Sequence, residues 1–209
     1  MISSQEMRAL ETQSDIPRAI LMENAGRGIY NAVKERLDLK DKKILVVCYH
    51  GNNGWDGFVA ARHLCDEAET DILFIGDESK MKKEALANFK KVEHNEKVQF
   101  LTDEEVDFDG YDIIIDAILG IGIQGRFNKE ISAIVDDINN SKAYKVAVDI
   151  PTGLDPDTGA VMDKCVNADL IVTFHDIKKG LEKLQDKTVV ADIGLPKQNA
   201  KCNSSQNPK

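Results

Sequence analysis

The chain has 209 residues, 42% of them hydrophobic and 30% charged, with a net charge of −9. That length allows one domain with a sizeable core, and no apolar run approaches the ~20 residues of a membrane span. The acidic balance argues against nucleic acid as the main partner, because a phosphate backbone attracts an excess of Lys and Arg.

The opening residues, Met1-Ile2-Ser3-Ser4-Gln5-Glu6, have no basic start and no long apolar stretch, so they do not read as a secretory signal. Met7 and Leu10 mark a short amphipathic helix with Ser3 or Ser4 as its cap. Asp15 and Pro17 open a longer helix through Ile20, Leu21, Met22, Ala25, Ile29, Val33 and Leu37. Gly26 interrupts its stripe. A helical glycine costs roughly 1 kcal/mol relative to alanine, so the position points to close packing or ligand approach.

From Lys43 onward the pattern changes to short apolar runs: Ile44–Cys48, Ile72–Ile75, Val98–Leu101, Ile113–Ile115, Val146–Val148, Leu170–Phe174 and Val189–Ala191. Most lack polar alternation, as strands covered on both faces do. Val98–Leu101, broken by Gln99, reads as an edge strand. Helical segments fall between several of them, at Phe58–Asp66, Lys80–Glu93 and Lys129–Asn139. The alternation predicts a three-layer α/β/α sandwich around a mainly parallel sheet, preceded by N-terminal helices. Residues 1–196 read as one domain and 197–209 as a polar frayed tail. The lysines at 80, 82, 83, 90 and 91 read as the solvated face of a helix. The four cysteines, Cys48, Cys65, Cys165 and Cys202, form no C-x-x-C pair and read as reduced, cytoplasmic thiols. The four histidines show no metal spacing.

Ligands of open parallel sheets bind beyond the carboxyl ends of the strands. Four strand ends here are rich in Gly, Asn, Asp, Thr and Lys. The first carries Gly51-Asn52-Asn53-Gly54-Trp55-Asp56-Gly57, expected as a phosphate-holding turn ahead of a helix. The second carries Asp116-Ala117-Ile118-Leu119-Gly120-Ile121-Gly122-Ile123-Gln124-Gly125-Arg126. The third carries Asp149-Ile150-Pro151-Thr152-Gly153, and the fourth Thr173-Phe174-His175-Asp176-Ile177-Lys178. Asp116 directly after three isoleucines is costly unless it is paired or liganded.

Together with Leu21-Met22-Glu23-Asn24-Ala25-Gly26, Gly180-Leu181 and Asp192-Ile193-Gly194-Leu195-Pro196, these strings resemble the NAD(P)H-hydrate epimerase family, in family order over most of the chain. The resemblance implies a Rossmann-like fold, often dimeric. It implies a substrate that is the hydrated form of NADH or NADPH, and a bound potassium ion. Carried over by position, the substrate contacts are Asn52, Asn53, Gly54, Trp55, Asp56, Gly120, Ile121, Gly122, Ile123, Gln124, Gly125, Arg126 and Asp149. The potassium ligands are Asn53, Asp116 and Thr152, all oxygen donors suited to a hard cation. Asp149 and Lys178 are the catalytic candidates. Asp149 is the acid/base group, while Lys178 either neutralises phosphate or pairs with Asp149. A dehydratase is the implied functional partner.

Four positions depart from the family pattern. Trp55 stands where Gly is usual, Ile121 for Thr, Thr152 for Ser, and His175-Asp176-Ile177 for Gly-Ala-Pro. Trp55 is expected to be either strained or a wall of the site, and Trp55→Gly is expected to leave the fold intact. A non-catalytic dimeric scaffold of the same fold, known from mRNA decapping, is the alternative function. A dinucleotide-binding dehydrogenase fits less well, since glycines at 51, 54 and 57 do not make G-x-G-x-x-G after the first strand.

Overall fold

The computed structural model describes residues 1–81, 83–122 and 127–196. Its helices are α1 (Ser4–Gln13), α2 (Arg18–Lys34), α3 (Asn52–Leu64), α4 (Lys83–Glu93) and α5 (Lys129–Asn140). Its strands are β1 (Lys43–Cys48), β2 (Glu69–Phe74), β3 (Val98–Leu101), β4 (Ile113–Ala117), β5 (Tyr144–Val148), β6 (Leu170–Phe174) and β7 (Thr188–Ala191). All seven strands join one sheet in the order β3-β2-β1-β4-β5-β6-β7, and every pairing is parallel. The Val98–Leu101 strand is an edge, as its interrupted pattern implies. Strand order reverses between β1 and β4, which is where an open α/β sheet leaves a crevice for a ligand.

The strands are apolar throughout because both faces are covered. On β1, Ile44, Val46 and Cys48 belong to the core that α2, α3 and α4 close. Leu45 and Val47 point the other way, into the core that α5 closes with Ile131, Ile134, Val135 and Ile138. Successive side chains alternate between faces, so a run with no polar alternation buries both. Gly26 lets α2 lie against α3: a Cβ there would sit 2.4 Å from the Val59 Cβ and 2.9 Å from the Ala60 backbone nitrogen.

The helix starts are set by local chemistry. Ser3 caps α1 by accepting from the Glu6 N–H, while the Glu6 carboxylate accepts from the Ser3 N–H. The Asn128 side chain accepts from the Ile131 N–H at the start of α5. Some boundaries differ from the sequence reading. The helix expected from Phe58 begins six residues earlier, at Asn52, so the glycine-rich run after β1 is helix and not a turn. The segment expected as one helix, Lys80–Glu93, divides into a 3-10 turn at Glu78–Lys80 and α4. A further 3-10 segment, Lys179–Lys187, follows β6. Lys82, the tail at 197–209 and Cys202 within it lie outside the described residues.

Candidate active site

Asp116 is the last but one residue of β4, not the first residue of a loop, and it is 1% exposed. Thr152, after β5, meets it. The Thr152 hydroxyl donates to Asp116 Oδ1 at 2.6 Å and the Thr152 N–H donates to Oδ2 at 2.8 Å. The Ile118 N–H adds a contact to Oδ1 at 3.2 Å. Burial pushes the Asp116 carboxyl up to about 6, against the lowering influence of those three donors. The Leu119 N–H donates to Thr152 Oγ1 at 3.0 Å, which ties the loop after β4 to the loop after β5.

Asp149 and Lys178 form a second centre. Asp149 follows β5 with φ of +63°, a left-handed conformation uncommon outside glycine. The Lys178 ammonium lies 2.6 Å from Asp149 Oδ1, with side-chain exposures of 0% and 9%. The ammonium also donates to the Phe174 carbonyl at 2.8 Å, and the Thr173 hydroxyl donates to Asp149 Oδ1 at 3.1 Å. Of the two roles open to Lys178, the structure has the pairing with Asp149. His175, which replaces the usual Gly of the resemblance, also has positive φ, +66°. Sustaining a side chain there costs of order 1 kcal/mol or more, which explains why glycine suits the position.

The first turn of α3 supplies the third part. Asn52 is exposed, Asn53, Gly54 and Trp55 are buried, and Asp56 is half-buried. Gly120 packs on Asn53: a Cβ at Gly120 would sit 2.9 Å from Asn53 Oδ1. Burial pushes the Asp56 carboxyl well above its ordinary value. The negative charges of Asp149 and Glu11 add to that, and Arg18 and Lys178 oppose it. Trp55 is helical and 1% exposed within the main core, so it is neither strained nor a detachable wall. Removing it would open a large cavity, and the expectation that Trp55→Gly leaves the fold intact is therefore corrected. The Arg18 guanidinium carbon lies 5.6 Å from the indole centroid. Asn53 Nδ2 and Trp55 Nε1 are buried without a hydrogen-bond partner among the described residues.

The predicted residues thus fall at adjacent strand ends but not in one contact set. Asp116 and Thr152 touch each other, Asn53 touches Gly120, and Asp149 touches Lys178. Ile121 is partly buried and its carbonyl accepts from Arg8 at 2.5 Å, while Gly122 is exposed. Ile123, Gln124, Gly125 and Arg126 lie outside the described residues. Two participants were not visible in sequence reading. Glu11 on α1 and Arg18 on α2 lie close enough for their charges to act on Asp56, and only the docking of those helices brings them there.

The oxygen chemistry fits a potassium ion. Asp116 has three donors on its two oxygens, which leaves acceptor capacity for one more partner. The Asn53 amide has an unpartnered end, and turning the amide would present its oxygen there. Among the described residues no group of three or more His, Cys, Asp or Glu side chains could hold a metal ion, so a potassium site here would rest on Asp116 with the neutral oxygens of Asn53 and Thr152.

The family described as "YjeF-related protein N-terminus" matches residues 18–180. The chain is 43% identical over 205 residues to the "Bifunctional NAD(P)H-hydrate repair enzyme Nnr" of Archaeoglobus fulgidus, covering 93% of this chain and 42% of that one. It therefore spans about two fifths of the bifunctional relative. It is 36% identical over 186 residues to the "NAD(P)H-hydrate epimerase" of Nitrosopumilus maritimus, covering 86% of both chains. The solved structure of yeast YNL200c shares the fold, with a TM-score of 0.81 and 23% identity over 91% of this chain and 86% of that one.

Proposed function

The chain belongs to the family of YjeF-related protein N-termini, and from that premise we propose that it interconverts the R and S forms of hydrated NADH or NADPH at C6 of the nicotinamide ring. The buried Asp149–Lys178 pair carries this reading. Taking two charges out of water costs several kcal/mol per ion, and apolar residues of similar volume often stabilise at least as well. A buried pair at a strand end, on a backbone with positive φ, is therefore better explained by chemistry than by stability.

The substrate carries a hydroxyl on the carbon next to the ring nitrogen. The nitrogen lone pair expels that oxygen once it is protonated, leaving a planar iminium ion and water. Water then adds to the other face and loses a proton, which gives the opposite epimer. Asp149, ion-paired with Lys178, takes the proton from the incoming water and offsets the iminium charge. The free N–H groups at the start of α3, with the loop after β4, receive the substrate phosphates. Asn53, Asp116 and Thr152 would hold a potassium ion, which would supply positive charge near those phosphates.

A dehydratase that consumes one epimer would be the functional partner, and the name "bifunctional" on the A. fulgidus relative supports a second activity beside this one. Cys48, Cys65 and Cys165 are free thiols, which supports a cytoplasmic location. No described helix is long and apolar enough to cross a membrane. The family resemblance adds a homodimer to the proposal.

The test is the rate of interconversion of purified NADHX epimers with and without the protein. The carbinolamine opens slowly unaided, so the enzyme-free control sets the baseline. Equal rates in both would end the epimerase reading.

A further inference from the structure

We propose that Glu11, carried by α1, is the second proton carrier of the site and serves the face of the nicotinamide ring opposite Asp149. This rests on the epimerase reading above.

The N-terminal segment is tied across the strand ends at several points. The Ile2 N–H donates to the Ile177 carbonyl at 2.8 Å and the Lys179 N–H donates to the Ile2 carbonyl at 3.1 Å, so Ile2 bridges the backbone around Lys178. The Ser4 N–H and hydroxyl donate to the Asp157 carboxylate at 2.7 and 2.6 Å. Arg8 reaches the Ile121 carbonyl after β4. The helix therefore runs from the end of β6 to the loop after β4. The end of β5, with Asp149, lies between those strands. Met7, on the inward face of α1, is 1% exposed. Glu11 follows it by four residues and so shares that face.

Glu11 is half-buried there. Burial raises its pKa first, and the Asp149 charge adds to that, while Arg18, Lys178 and Arg8 oppose it. Asp56 on α3 faces the same charges, and the charge of Glu11 acts on it. The charged groups around Glu11 are thus Arg8 on its own helix, Arg18 on α2, Asp56 on α3, Asp149 after β5 and Lys178 after β6.

Epimerisation needs one group to give a proton and another to take one, on opposite faces. Asp149, ion-paired with Lys178, is available to accept. In one direction protonated Glu11 gives its proton to the C6 hydroxyl as the C–O bond breaks, and water leaves. A second water attacks the iminium carbon from the other face and Asp149 takes its proton. In the reverse direction the roles exchange, and solvent resets the two carboxyls between turnovers.

The test compares Glu11→Gln, Glu11→Asp and Asp56→Asn with the wild type, with folding checked by circular dichroism. Glu11→Gln is expected to lower kcat for NADHX interconversion by about a hundredfold, within the usual range for a general acid, with KM within about threefold. It is also expected to lose the limb along which the rate falls as pH rises through the Glu11 pKa. Glu11→Asp is expected to regain part of kcat and that limb, and it answers the question if Glu11→Gln does not fold. Wild-type kcat and both limbs in Glu11→Gln overturn the proposal. So does a rise in KM alone, or loss of the limb only in Asp56→Asn. A wild-type protein no faster than the enzyme-free control defeats the epimerase reading itself, which separates the two failures.

Discussion

The Lys178 ammonium and the Asp149 carboxylate meet at 2.6 Å where solvent hardly reaches either group. Among the described residues, every other hydrogen bond to the two side chains comes from the end of β6, through Thr173 and Phe174. The pair joins two strand ends as well as two charges.

Breaking the pair from one side strands a buried charge. Asp149→Asn and Lys178→Met are each expected to destabilise by about 3–5 kcal/mol. The double variant is expected to lose clearly less than the sum, because neither charge then remains. Urea denaturation of the three variants measures this. Asp149→Asn is also expected to lower the interconversion rate of the NADHX epimers by about a hundredfold or more. Near-normal turnover would remove Asp149 from the chemistry.

Trp55 packs into the core, so the informative substitution is Trp55→Phe and not Trp55→Gly. Deleting a buried Trp costs roughly 3–5 kcal/mol even when Ala replaces it. Phe keeps most of the ring and removes the unpartnered Nε1 donor. Its effect on stability is expected to stay below about 1.5 kcal/mol, while NADHX affinity falls if the indole N–H meets the ligand. Thermal unfolding and a binding titration separate the two effects. Unchanged affinity would assign the indole to packing alone.

Potassium is expected to raise Tm more than sodium at equal ionic strength, because an ion that binds only the folded state stabilises it by RT ln(1 + [L]/Kd), about 1.4 kcal/mol at ten times Kd. Asp116→Asn and Thr152→Val are expected to erase the difference between the two salts. Identical curves in both salts for the wild type would count against the ion.

Glu23 on α2 pairs with Arg62 and His63 on α3. Burial tends to raise its pKa, but hydrogen bonds from His63 and then Arg62 outweigh this and hold it below the ordinary 4.5. A carboxyl lowered on folding contributes stability above its unfolded value and loses it as pH falls through its folded value. The stability gap between wild type and Glu23→Gln should therefore be full near neutral pH and shrink below about 4.5. Urea midpoints across that range test the sign. A gap that widens in acid would refute it.

The seven strands were legible as apolar runs, because a strand covered on both faces has no polar position to interrupt it. The strand ends were legible too, since Asp116 and Asp149 each follow directly on such a run and Lys178 comes four residues after one. The start of α3 was not. Gly51-Asn52-Asn53-Gly54 has the composition of a turn, and its packing over β1 and Gly120 overrides that local preference. Lys178 illustrates the same limit: lysine is mostly exposed, and only the return of the chain past Ile2 and Asp149 encloses it completely.

From the order of its residues alone, the chain determined a parallel α/β sheet and the edge of that sheet on which polar groups collect, because periodicity and burial are local properties of the sequence. Tertiary structure decided which of those groups meet. It joined Asp149 to Lys178 and Asp116 to Thr152, and it brought Glu11 and Arg18 in from the N-terminal helices. Those contacts depend on strand order and helix docking between residues far apart in the chain, and no local pattern encodes such distances.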